Sequence, residues 1–172
     1  WVCQPFFGNG AANNKIENCY STGAITSSSG GICGKHAGIY GGIVMVTNCY
    51  SLGAISASEA GGICGPYAGY QGGTVMVTNC YSTGAISGQY SGGICGMYAG
   101  YTGTVTVTNC YSTGPISAGA AGGICGSYAG IDGTATVTNC YSTGPISATQ
   151  AGGICGGNTG YQGGTVMVTN CY

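Results

Sequence analysis

The residues best suited to chemistry in this 172-residue chain are its twelve cysteines and very few ionisable groups. The cysteines fall into two series. One runs Cys3, Cys33, Cys64, Cys95, Cys125, Cys155 and the other Cys19, Cys49, Cys80, Cys110, Cys140, Cys171, each advancing by 30 or 31 residues. Members of opposite series lie 15 or 16 residues apart, half a repeat, so a flattened coil sets them opposite one another. The grouping 3/19, 33/49, 64/80, 95/110, 125/140 and 155/171 uses all twelve, whereas the shifted grouping leaves Cys3 and Cys171 over. An even cysteine count in a charge-poor chain reads as a secreted, bridged scaffold, and closing each loop is worth ~3 kcal/mol in the chain-entropy account. The other reading is a column of reduced, buried cysteines serving as small apolar residues. No Cys-x-x-Cys occurs and His36 is the sole histidine, so tetrahedral zinc spacing is absent and neither metal nor cofactor is expected.

Catalysis has little to draw on. His36 occupies the slot that holds Tyr67, Tyr98 and Tyr128 in other repeats, so it reads as a drifted repeat position. The acids Glu17, Glu59 and Asp132 form no recurring pair. Glycine-rich segments lead into no helix N-terminus that would cradle phosphate. The expectation is that the chain is not an enzyme.

Charge narrows the partners. Charged residues make up 3% of the chain, against about 25% in an ordinary domain. No basic patch exists to neutralise nucleic-acid phosphates. No apolar run approaches the ~20 residues that a membrane-spanning helix needs.

What positions these residues is a tandem repeat. Thr-Asn-Cys-Tyr-Ser-Thr-Gly occurs at 78–84, 108–114 and 138–144, with a Leu52 variant at 47–53. Gly-Gly-Ile-Cys-Gly alternates with it at 30–34, 61–65, 92–96, 122–126 and 152–156. The one-residue difference in period is an extra glycine before the Val-rich segment, present at Gly41-Gly42, Gly72-Gly73 and Gly163-Gly164 but single at Gly103 and Gly133. A turn absorbs such a change, whereas inside a strand it would invert every side chain. Three strand signals recur: the alternating Thr74–Thr78 type, Gly-Ile-Cys, and Ala/Pro-Ile-Ser. Strands this short bury a face only by stacking coil on coil, at ~4.8 Å per layer.

The predicted fold is therefore an all-β parallel β-solenoid of about 5–6 coils. Residues 1–172 form one repeat domain, with 1–20 a degenerate first coil and 21–172 regular coils, and the whole reads as a segment of a longer array. The inward columns are Val44, Val75, Val105, Ala135, Val166; Val46, Val77, Val107, Val137, Val168; and Ile25, Ile55, Ile86, Ile116, Ile146. Asn18, Asn48, Asn79, Asn109, Asn139 and Asn170 should form an amide ladder at a bend, and Tyr20, Tyr50, Tyr81, Tyr111, Tyr141 and Tyr172 an aromatic column. Adjacent Ile and Cys in Gly-Ile-Cys-Gly cannot both point inward from a straight strand, so that segment is either a corner or has one outward column.

Gly-Gly-Ile-Cys-Gly followed by Val-x-Val-Thr-Asn-Cys-Tyr-Ser-Thr-Gly resembles the GLUG-type repeat, with its Gly-Leu-hydrophobic-Gly and Asn-Cys-Tyr-Ala-Thr-Gly-like segments. The resemblance runs from Val2 to Tyr172. It implies a β-solenoid in a large secreted or surface protein and carries over no catalytic residue. The chain departs from the pattern by placing Cys33, Cys64, Cys95, Cys125 and Cys155 at the hydrophobic position.

The expected function is an extracellular or cell-surface structural repeat that associates with copies of itself. One alternative is an adhesin-like module binding a glycan or cell-surface ligand through its variable edges, 57–60 or 66–67 and their equivalents. A lesser one is ice binding by the outward threonines of 104–108 and 134–138, interrupted by Met45, Met76 and Met167 in other coils.

Overall fold

The computed structural model describes residues 2–172; Trp1, where the expected degenerate coil begins, lies outside the described residues. All regular structure is β, and no helix forms among the described residues. The chain winds as a parallel β-solenoid of about five turns.

The longest wall is a six-stranded parallel sheet of β1 (Asn14–Glu17), β3 (Ile43–Thr47), β5 (Thr74–Thr78), β7 (Thr104–Thr108), β9 (Thr134–Thr138) and β11 (Thr165–Thr169). Two-residue strands β2 (Tyr20–Ser21), β4 (Tyr50–Ser51), β6 (Tyr81–Ser82), β8 (Tyr111–Ser112) and β10 (Tyr141–Ser142) make a second sheet. Register is unbroken: Val75 pairs with Val44 below and Val105 above, and Tyr81 pairs with Tyr50 and Tyr111. The other predicted segments pair through single parallel bridges, in columns such as Ile25-Ile55-Ile86-Ile116-Ile146 and Cys33-Cys64-Cys95-Cys125-Cys155.

Alternation in the long strands works as the pattern dictates. Val44, Val46, Val75, Val77, Val105, Val107, Ala135 and Val137 are fully buried, while Thr74, Met76 and Thr78 and their equivalents lie half-exposed outside. At roughly 1.5–3 kcal/mol per fully buried aliphatic side chain, these columns dominate the stability. Burial falls off in the last coil, where Val168 is exposed and Val166 only half-buried.

Gly-Ile-Cys is a corner. The N–H groups of Ile63 and Cys64 both donate to the Ile94 carbonyl, at 2.9 and 2.9 Å. Two successive amides pointing at one acceptor is a bend, which lets both side chains face inward: Ile63, Cys64, Ile94 and Cys95 are fully buried. The glycines that flank the corner are sterically required. A Cβ on Gly93 would stand 2.5 Å from the Ser112 hydroxyl, and one on Gly31 would stand 2.6 Å from that of Ser51. The second glycine of one motif and the serine of the other thus share one space.

The extra glycine lies where the register tolerates it. Gly41, Gly72 and Gly163 take φ of 75°, 77° and 84° and would meet nothing with an added Cβ, so they loop outward clear of the ladders.

Candidate functional site

The six asparagines stand at left-handed corners, with φ between 53° and 55°. Asparagine tolerates this conformation better than any residue but glycine. Each side chain also donates to the one a coil below: Asn48 Nδ2 to Asn18 Oδ1 at 3.3 Å, Asn79 to Asn48 at 3.4 Å, Asn109 to Asn79 at 3.3 Å, Asn139 to Asn109 at 3.2 Å, and Asn170 to Asn139 at 3.2 Å. The next residue but one forms the tyrosine column. From Tyr20 to Tyr172 consecutive rings sit 4.9–5.3 Å apart and within 8° of parallel.

The cysteines form two inner columns. No disulfide is formed and all twelve are thiols, so the expected half-coil pairing, Cys33 with Cys49 and its equivalents, is not what this structure contains. In the second series, successive cysteines from Cys49 to Cys171 touch along the column, one coil apart. The Cys49 N–H donates to Cys80 Sγ, that of Cys80 to Cys110 Sγ, and that of Cys110 to Cys140 Sγ, all at 3.4 Å. Each Sγ–H in turn reaches a strand carbonyl, as Cys80 does to Thr78 at 3.2 Å. In the first series the Cys33 sulfur pushes the Cys64 thiol well above the usual range, opposed by Cys95 and reinforced by burial. The Cys64, Cys95 and Cys125 thiols are all held well above the usual range, which keeps them neutral and poor nucleophiles. No group of three or more potential metal ligands occurs among the described residues.

His36 stands in its predicted slot, between the rings of Phe6 at 4.9 Å and Tyr67 at 5.1 Å. Burial, then the neighbouring Lys35 charge, lowers its pKa and favours the neutral imidazole. Lys15 and Glu17 pair at 2.6 Å on the solvent side.

Further aromatic columns line one edge of the coil, the edge that carries the variable pair after Cys-Gly. Tyr67, Tyr98 and Tyr128 stack at 4.8 and 5.2 Å, and beside them Tyr70 and Tyr101 stack at 5.1 Å. Tyr67, Tyr98 and Tyr128 hold φ of 61°, 59° and 60°, a conformation costly for a bulky residue and sustained here by the stacking. A cavity of about 350 Å³ opens on this edge, lined by Tyr67, Tyr98, Tyr101, Tyr128, Ile131, Tyr161 and Gln162. The signal available in the sequence was the variable pair after Cys-Gly, which falls on this edge.

No known protein family, curated protein or solved structure matches this chain.

Proposed function

We propose that this chain is an extracellular structural repeat whose coils associate with copies of itself to form or decorate a filament, sheath or surface layer. The supporting observation is the interchangeability of its coil faces. Successive coils offer one another nearly the same valine, isoleucine, asparagine and tyrosine columns in register, with Ala135 and Asn14 in one valine column. A further coil, from another copy or from more of the same chain, covers groups that the outermost coil leaves open: Ile146 is 47% exposed where Ile116 is fully buried, and Tyr172 is 77% exposed. Scarce charge removes the repulsion that would oppose such contact. The motif's likeness to GLUG-type repeats of surface proteins supports the same reading. Sedimentation and electron microscopy of the native material at physiological salt test it. Filaments one coil wide are expected; monomers that persist at high concentration would overturn it.

Two observations favour other readings. The aromatic cavity lies on the variable edge, which suits an adhesin-like binding module. The outward columns Thr74, Thr104, Thr134, Thr165 and Thr78, Thr108, Thr138, Thr169 form a regular grid suited to ordered water, with methionine at the central position in two of these four coils. Thermal hysteresis of the purified protein decides the latter.

A further inference from the structure

One aromatic column is missing a ring. At the position after the left-handed glycine, successive coils carry Ile39, Tyr70, Tyr101, Ile131 and Tyr161. Tyr70 and Tyr101 stack at 5.1 Å and 8°, but the next layer holds Ile131, which is buried at 4% exposure and lines the cavity described above. Tyr161 follows one coil further on, 56% exposed. Two coils separate Tyr101 from Tyr161, roughly 10 Å at the β-layer spacing, so one ring between them would lie about 5 Å from each. That is the spacing the column keeps for itself. Ile39 leaves no equivalent gap, because the layer below it carries Asn9 and not a ring.

The cavity coincides with the missing ring: Tyr101, Ile131 and Tyr161 line it, Tyr98 and Tyr128 wall it, and Gln162 supplies an amide at its rim. No cationic or anionic side chain lines it. The geometry points to a binding slot for one flat, uncharged aromatic ring with a polar edge group, of phenol or indole size, sandwiched between Tyr101 and Tyr161. Ring faces supply the attraction, since offset-stacked aromatics favour centroid separations of about 4.5–7 Å. Phenol hydroxyls and the Gln162 amide meet the polar edge. Stacking of chains end to end leaves this edge open, so the slot does not depend on self-association.

The test is saturation-transfer NMR and titration of the full chain with p-cresol and indole, with cyclohexanol as a non-planar control. Millimolar binding of the two aromatics is expected, with no transfer to cyclohexanol. Ile131→Tyr restores the residue that neighbouring coils carry, so it folds and closes the slot; it should weaken binding by at least about tenfold. Tyr161→Ala removes one wall and should weaken binding in a chain whose circular dichroism is unchanged. Absence of binding by either aromatic, equal binding of cyclohexanol, or binding unaltered by Ile131→Tyr each overturns the proposal.

Discussion

The serine of Asn-Cys-Tyr-Ser and the second glycine of Gly-Gly-Ile-Cys-Gly restrain each other, although they sit in different motifs. Gly93→Ala would drive a methyl group against Ser112 and the Gly123 carbonyl, and thermal denaturation should register a loss of about 3 kcal/mol. Adding Ser112→Gly should rescue this only in part, because the carbonyl stays in place. Ser112→Ala alone is expected to leave stability unchanged or raised. The Ser112 hydroxyl is buried without a partner, and such a group costs about 1–3 kcal/mol. The cysteines give a second test at this scale. Denatured without reductant, the chain should take up twelve alkyl groups by mass; uptake of none would mean six bridges and would contradict the thiol columns. Half-repeat spacing made an opposed pair legible in the sequence, but spacing along a chain carries no distance across a coil, and the structure holds all twelve cysteines as thiols.

Among the elements, the long strands were legible because Thr-Val-x-Val-Thr alternates and its register repeats. Tyr-Ser was not read as a strand, since two residues show no period; its pairing exists only because Tyr50 and Tyr111 flank Tyr81. The left-handed tyrosines at 67, 98 and 128 were hidden for another reason: local preference argues against them, and stacking overrules it. The asparagine corners combine both effects and can be separated. Asn109→Gly keeps the left-handed corner and loses the ladder, whereas Asn109→Ala loses both. The alanine variant should be the less stable by about 1–2 kcal/mol in denaturant titration. If the two variants unfold together, the corner conformation contributes nothing.

For the whole molecule, a solenoid whose layers touch only their neighbours should tolerate the loss of one layer. Deleting residues 81–110 joins Cys80 to Tyr111 in phase and removes 30 residues. The product should fold with the same far-ultraviolet spectrum, melt at a modestly lower temperature and carry ten alkylatable thiols. A collapsed or aggregated product would show that the coils are not interchangeable, and the self-association proposal would fail with it. The repeat made this scale the most legible of the three. The aromatic slot was the least, because it arises from one missing ring, visible only once the layers are superposed.

The outward-looping glycines at 41, 72 and 163 have a consequence for the gene. Coding units of 30 and 31 codons specify coils that fit on one another equally well. Unequal crossing-over between any two units therefore yields an open reading frame and a chain that still stacks. The array can lengthen or shorten by recombination without a compensating mutation, and its length can drift while each layer keeps its form.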